Sequence, residues 1–220
     1  MRIKGIIFDL DGTLLDTLAD LGNSVNRALI EYGYPANPIE DYRYFVGEGG
    51  KNLIRKAMHE ESLTPEMEPI IERFKEIYDE NYNKETCIYD GITDLLDWLD
   101  ENDIEYAVLS NKFHEFTLKT VDEYFPGRRF SAVVGMQADK PIKPDPALVY
   151  EILDTFTCEK EEVILVGDTK VDIETAKNAG LFALGVTWGF RDIGELIENG
   201  ADAIADTPDE IRKIIARVEP

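Results

Sequence analysis

Short runs of apolar and β-branched residues recur along the chain and predict buried strands. Five of them stand out, namely KGIIFDL, IEYAVLS, FSAVVG, EVILVGD and FALGVTW. Most are followed by segments whose apolar residues repeat at helical spacing, a pattern that is typical of parallel sheets. We therefore expect an α/β fold built on a parallel sheet.

The alternation is interrupted once, because about ninety residues without an evident strand separate the first run from IEYAVLS. Two helical faces in this stretch are apolar, one with Leu18, Leu21, Val25, Leu29 and Tyr32 and the other with Met67, Ile70, Ile71, Phe74, Ile77 and Tyr78. The polar stretch YNKET closes it. We expect an inserted helical cap at residues 16–85 and a sheet domain at residues 1–15 and 86–220.

Charge and composition narrow the range of functions. The chain has 23 Lys and Arg residues against 45 Asp and Glu residues, a net charge of −22, which argues against nonspecific binding to nucleic acid or to an anionic membrane. Its apolar runs are shorter than the roughly 20 residues of a spanning helix, and MRIKGIIFDLDG reaches an aspartate too early for a signal peptide. We expect a cytoplasmic protein.

The two cysteines lack the spacing of a zinc site or a disulfide framework and are predicted to be buried thiols.

Polar side chains follow three of the predicted strands. The first run leads into Asp9, Asp11 and Asp16, AVLSNK stops at Ser110, Asn111 and Lys112, ILVGDTKVD stops at Asp168 and Asp172, and PIKPDP carries Lys143 in a loop. Ligands of parallel sheets collect at the carboxyl ends of the strands. Carboxylates that meet there need a counter-charge, and a hard divalent cation such as Mg²⁺ supplies it.

Each element has an ordinary structural explanation when it is taken alone. Asp-x-Asp-Gly occurs in turns, Asp168 or Thr169 can cap a helix, and Lys143 can be a surface lysine. Together, however, DLDGTLLDT, LSNK, KPDP and GDTKVD resemble the motifs of the haloacid dehalogenase-superfamily phosphatases, and within that family the phosphoglycolate phosphatase group. The resemblance extends over essentially the whole chain.

The resemblance implies a Rossmann-like core with a helical cap inserted after the first strand. It also implies that Asp9 is the nucleophile that forms an aspartyl-phosphate and that Asp11 is the general acid and base. Asp16 fits this scheme less well and is interpreted as a hinge or helix-start residue.

The remaining roles follow from the same resemblance. Ser110, Asn111 and Lys143 would hold the transferring phosphoryl group, and Gly12 would let backbone amides approach it. The implied ligands of Mg²⁺ are Asp9, the backbone carbonyl of Asp11, and Asp168, with Asp172 as a direct or indirect contributor.

Details of the motifs discriminate among related activities. Asp11 favours phosphate chemistry over dehalogenation, and LDTLADLGNSV lacks the cap histidine of β-phosphoglucomutases. A phosphosugar mutase and a pyrophosphatase stay as alternatives. A receiver-like domain carries its nucleophile on a central strand and lacks the helical insertion, and a non-catalytic phosphate-binding protein would not need every catalytic residue.

The cap carries the expected determinants of specificity. The loop GEGGKN resembles the glycine-containing cap loop of phosphoglycolate phosphatases, and four basic residues between positions 43 and 56 stand against Glu48. We expect Gly49, Lys51 and Arg55 to contact an anionic substrate, although a solvated helix face explains the charges equally well. The expected partner is a small phosphorylated metabolite, with 2-phosphoglycolate as the leading substrate, and the expected assembly is a monomer or a homodimer.

Overall fold

The computed structural model describes residues 2–218 of the chain and the side chains of residues 2–216. Its strands are β1 (Gly5–Phe8), β2 (Leu15–Asp16), β3 (Cys87–Ile88), β4 (Glu105–Phe113), β5 (Val133–Met136), β6 (Val163–Gly167), β7 (Phe182–Val186) and β8 (Ala203–Ala205). Six of them form a parallel sheet in the order β5-β4-β1-β6-β7-β8, and β2 pairs with β3 in a short antiparallel ribbon. The predicted α/β fold is confirmed.

Helices connect and cover these strands. They are α1 (Leu18–Glu31), α2 (Tyr42–Phe45), α3 (Gly50–Ala57), α4 (Glu68–Asn81), α5 (Ile92–Glu101), α6 (His114–Tyr124), α7 (Ala147–Leu153), α8 (Lys170–Ala179), α9 (Ile193–Glu198) and α10 (Pro208–Val218). None of the helices in the described part of the chain is long and apolar enough to cross a membrane.

The register of the central strands brings the candidate residues to one edge of the sheet. Phe8, the last residue of β1, lies opposite Val108 of β4 and Val166 of β6. The N–H of Asp9 still donates to the Val166 carbonyl, at 2.9 Å. The chain segments that follow these three positions therefore leave the core side by side.

The apolar side chains form three clusters. Successive residues of β1 point to opposite faces of the sheet, so that Ile6 packs in one cluster and Ile7 in another. The third cluster is made mostly by α1 to α4, with Val25 and Phe74 among its members, and also includes Phe116 and Phe190 from outside the cap. This third cluster, most of whose residues belong to α1 to α4, supports the division into sheet domain and cap, which stays a prediction.

One buried carboxylate joins the two connections between sheet domain and cap. Asp20, at the start of α1, accepts the backbone N–H groups of Lys84, Glu85 and Thr86 and the hydroxyl of Thr86, at 2.8–3.0 Å. Nearby, Asp16 accepts the N–H of Leu18 at 3.2 Å, as its interpretation as a helix-start residue predicts. The entry and exit of the cap are thus fastened to each other.

The structure differs from the sequence predictions in three details. Ser110, Asn111 and Lys112 lie within β4 and not after it, and β8 was not predicted because it has only three residues. The prediction of buried thiols is wrong for Cys87, which is exposed because β3 is a two-residue strand paired on one side only, with β2.

Candidate active site

Three buried carboxylates meet at the carboxyl edge of the sheet. Asp9, Asp168 and Asp172 each place one oxygen within 4.8 Å of the others. The ammonium of Lys143 lies 2.9 Å from Oδ1 of Asp9 and 2.6 Å from Oδ1 of Asp172. The structure therefore brings together four of the predicted residues from three separate parts of the chain.

Backbone geometry makes room for this cluster. Gly12 has a φ of +91°, which few other residues adopt, and a Cβ at this position would overlap the carboxylate of Asp168. Asp168 also accepts the hydroxyl of Thr13 at 3.1 Å and the N–H of Phe190 at 2.8 Å. Gly12 thus supports the site by giving Asp168 space.

The burial of like charges changes the acidity of the cluster. Burial raises the pKa of Asp9 well above its ordinary value, and the neighbouring carboxylates of Asp172 and Asp168 add to that rise while Lys143 opposes it. Burial and the charge of Asp172 raise the pKa of Asp168 to about 7. Burial opposes the charged form of Lys143, but Asp172 and Asp9 outweigh it and raise the pKa of the ammonium.

Asp172 also has a structural role. Its Oδ2 accepts the N–H and the hydroxyl of Thr169, at 3.0 and 2.8 Å, which closes a capping box at the start of α8. Its Oδ1 accepts from Lys143. Both oxygens have protein partners, which favours the indirect role of the two that the sequence left open.

The motif on β4 fixes the lysine loop. Asn111 accepts the N–H of Lys143 at 2.9 Å, and its amide donates to the carbonyls of Lys143 and Gly47, both at 3.0 Å. Ser110 is buried and lines the space in front of Asp9. Asn111 therefore holds Lys143 and a cap loop in place.

Asp11 is separated from the carboxylate cluster. Its Oδ1 accepts a hydrogen bond from Lys112 at 2.8 Å, and only 4% of the Lys112 side chain and 9% of the Asp11 side chain are exposed. The ammonium of Lys112 lies 4.7 Å from the ring centre of Tyr78 on α4. The two predicted catalytic aspartates are thus paired with different lysines.

A cavity lies between the sheet edge and the cap. Its polar wall belongs to the sheet domain and its apolar wall mostly to the cap. The lining residues are Asp9, Asp11, Leu21, Val46, Gly47, Gly49, Gly50, Leu53, Phe74, Tyr78, Ser110, Asn111, Lys112, Phe113 and Phe116.

The predicted specificity residues of the cap are divided by the structure. Gly49 lines the cavity, but Lys51 and Arg55 do not. Lys51 is half exposed and lies 3.7 Å from a Glu68 oxygen. Arg55 donates to the side chain of Asn52 at 3.1 Å and to the carbonyl of Glu60 at 2.9 Å. The structure does not bring these two cations to the cavity.

Sequence reasoning missed two arginines that join the cap to the sheet domain. Arg43 of α2 donates to the carbonyls of Gly189 and Phe190, at 3.1 and 3.3 Å. Arg191 donates to the carbonyl of Val46 at 2.9 Å. Because these contacts are made to backbone carbonyls far away in the chain, no sequence signal indicates them.

The cluster fits a divalent cation. Three buried carboxylates offer hard oxygen ligands, and Oδ1 of Asp9 has no hydrogen bond of good geometry although Lys143 is close. The carboxylate of Asp11 points instead to Lys112. Asp9 and Asp168 are therefore the residues best placed to hold the ion, with Asp172 beside them.

Comparison with known proteins agrees with this geometry. The family model of the haloacid dehalogenase-like hydrolases matches residues 6–186. Phosphoglycolate phosphatase 1 of Pseudomonas aeruginosa is 32% identical over 206 residues, covering 91% of this chain and 75% of that protein. A phosphoglycolate phosphatase of Vibrio cholerae is 33% identical over 211 residues, 93% of each chain. The crystal structure of a predicted phosphoglycolate phosphatase from Haemophilus somnus superposes with a TM-score of 0.87 at 28% identity, covering 97% of this chain and 98% of that one.

Proposed function

Because the chain belongs to the haloacid dehalogenase-like hydrolases and is a phosphatase, we propose that it hydrolyses 2-phosphoglycolate with Mg²⁺ and an aspartyl-phosphate on Asp9. The observation that carries this proposal is that Asp9 and Asp11 both line the cavity between the sheet edge and the cap. Asp9 lies among the residues suited to a cation and a phosphate, whereas Asp11 lies apart from them with its own lysine.

In the first step, a carboxylate oxygen of Asp9 attacks phosphorus and the bond from phosphorus to the substrate alcohol breaks. Asp11 donates its proton to the leaving oxygen. Lys143 and the hydroxyl of Ser110 neutralise and orient the phosphoryl oxygens during the transfer.

In the second step, Asp11 takes a proton from water, and that water attacks phosphorus. The bond between phosphorus and Asp9 breaks, which releases phosphate and restores both aspartates. A bound Mg²⁺, held by Asp9 and Asp168, would supply positive charge that lets an anionic nucleophile approach a phosphate dianion.

The walls of the cavity support a small substrate. Leu21, Val46, Leu53 and Phe74 offer no hydrogen bonds to the several hydroxyls of a sugar, and a buried hydroxyl without a partner is costly. These walls therefore disfavour a sugar phosphate. The names of the relatives from Pseudomonas aeruginosa and Vibrio cholerae give phosphoglycolate as their substrate.

The test is a comparison of substrates with the purified protein. We expect kcat/KM to be highest for 2-phosphoglycolate, lower for β-glucose 1-phosphate and pyrophosphate, and near zero for every substrate in EDTA. Asp9→Asn is the control for background phosphatase. A preference for the sugar phosphate or for pyrophosphate would replace the proposed substrate, and full activity in EDTA would remove the metal. The cytoplasmic location and the monomeric or homodimeric state stay predictions from the sequence.

A further inference from the structure

Lys112 is a buried cation that the proposed mechanism does not use. It lies in β4 with 4% of its side chain exposed and lines the cavity. An ammonium held so far from water needs a partner that outweighs the loss of hydration. That partner is Oδ1 of Asp11, at 2.8 Å.

The surroundings of Lys112 restrict its position. The ring of Tyr78 lies 4.7 Å from the ammonium, and this ring is fixed in turn by Phe74 and Phe116, with ring centres 5.6 and 5.3 Å away. Aromatic packing on one side and a carboxylate on the other leave the ammonium little freedom. Lys112 therefore presents its N–H to Asp11 in a fixed direction.

We propose that Lys112 is a positioning residue that holds the Asp11 carboxyl in the orientation needed to protonate the leaving group. The proposal rests on the acid and base role of Asp11 in the proposed function. With Oδ1 occupied as an acceptor from Lys112, Oδ2 is the oxygen left to carry a transferable proton, and Asp11 lines the cavity. Lys143 does not perform this task, because its ammonium is shared by Asp9 and Asp172.

Substrates with different leaving groups test this role. The alkoxides of phosphoglycolate and ethyl phosphate need a proton to leave, whereas p-nitrophenolate leaves without one. We expect Lys112→Met to lower kcat/KM for both alkyl esters by about 10- to 100-fold, less than the roughly 10²- to 10⁴-fold contribution of general acid catalysis, because Asp11 itself stays in place. The value for p-nitrophenyl phosphate should fall by less than about threefold on the same reasoning.

A second readout follows the phosphorylated enzyme. Hydrolysis of that species still needs Asp11 as a base, so Lys112→Met should release a pre-steady-state burst of p-nitrophenol approaching one equivalent per active site. Asp11→Asn should give the same two signatures in stronger form. The double variant should be no worse than Asp11→Asn, because residues that act through one group are not additive.

Lys119 offers a matched control. Its ammonium also binds a carboxylate of the cap, Asp79 at 2.7 Å, and lies 4.5 Å from the ring of Tyr82, but it is 39% exposed and lies outside the cavity. Lys119→Met removes the same kind of interaction without touching Asp11. We expect it to leave both leaving-group classes unchanged.

Three results would overturn the proposal. A loss for phosphoglycolate but not for ethyl phosphate would mean that Lys112 binds the substrate carboxylate. An equal loss for all three esters would mean a general structural role, and no loss would mean no role. If Lys112→Met does not fold, Lys112→Gln, with a shorter and still polar side chain, carries the same comparison. Failure of the proposed function can be told apart from failure of this proposal. If Asp11 is not the general acid, Asp11→Asn itself will not show a larger loss for the alkyl esters than for p-nitrophenyl phosphate.

Discussion

Replacing Asp168 with asparagine should stabilise the metal-free protein while it abolishes catalysis. The carboxylate is fully buried beside Asp172, and burial together with that charge raises its pKa from 3.8 to about 7. Asparagine has the same shape and can still accept the N–H of Phe190. The substitution therefore removes a buried negative charge that is repelled by Asp172, and it keeps the hydrogen bond from Phe190.

The size of the effect follows from the pKa. A rise of about three units at ~1.4 kcal/mol each gives an upper bound of roughly 4 kcal/mol for the cost of ionising Asp168 in the folded protein. Relaxation around the pair of Asp168 and Asp172 reduces this cost. We therefore expect Asp168→Asn to raise the free energy of unfolding by about 2 kcal/mol, which corresponds to about 4–8 °C in Tm for a chain of this size.

The dependence on pH has a definite sign. Because the native pKa lies above that of the unfolded chain, the native state binds the proton more tightly. The contribution of Asp168 to stability is therefore present below about pH 4 and is lost as the pH rises to about 7. Asp168→Asn should melt higher than the wild type in EDTA at pH 8, and the difference should narrow at pH 5 and disappear only below about pH 4.

Thermal unfolding followed by circular dichroism, with EDTA or with Mg²⁺, measures these differences. The wild type should gain stability from Mg²⁺ at pH 8 and Asp168→Asn should not. Asp206→Asn is the control, because Asp206 follows β8 at the same sheet edge but is exposed. A lower melting temperature for Asp168→Asn in EDTA at pH 8 would refute the argument that repulsion dominates this site.

Three further predictions concern the ion, the cap and its connections. Mg²⁺ should restore the activity of EDTA-treated protein and Ca²⁺ should do so poorly, because Ca²⁺ prefers a larger and more flexible coordination shell; equal rates with both ions would count against the site. The double variant Lys51→Ala/Arg55→Ala should change kcat/KM for phosphoglycolate by less than about twofold, because neither side chain lines the cavity. A tenfold loss in steady-state assays would place them at the substrate after all. Asp20→Asn should lower the free energy of unfolding in urea by about 1–3 kcal/mol, because a buried acceptor of several N–H groups becomes a weaker one; an unchanged midpoint would show that the linkers do not depend on it.

The sheet domain could be predicted because its chemistry is local to the strand ends. Asp9, Ser110 and Asp168 each follow or end an apolar run, and parallel pairing brings such positions together whatever lies between them. The cap could be predicted only as an insertion with two apolar helix faces. The rotation of α3 about its axis decides which polar groups of the cap face the cavity. The charges of the sequence do not indicate this rotation, and Lys51 lies beside Glu68 instead.

Two consecutive residues of β4, Asn111 and Lys112, explain how the carboxylates of Asp9 and Asp11 can take different roles. Asn111 binds the backbone of Lys143 and so places its ammonium at Asp9. Lys112, the next residue, places its own ammonium at Asp11. Neighbouring residues of one strand therefore contribute to both counter-charges, Lys112 directly and Asn111 through the loop that carries Lys143. Asp9 and Asp11 stand two positions apart in the chain, yet their surroundings differ, because Asp9 shares the ammonium of Lys143 with Asp172 whereas Asp11 pairs with Lys112.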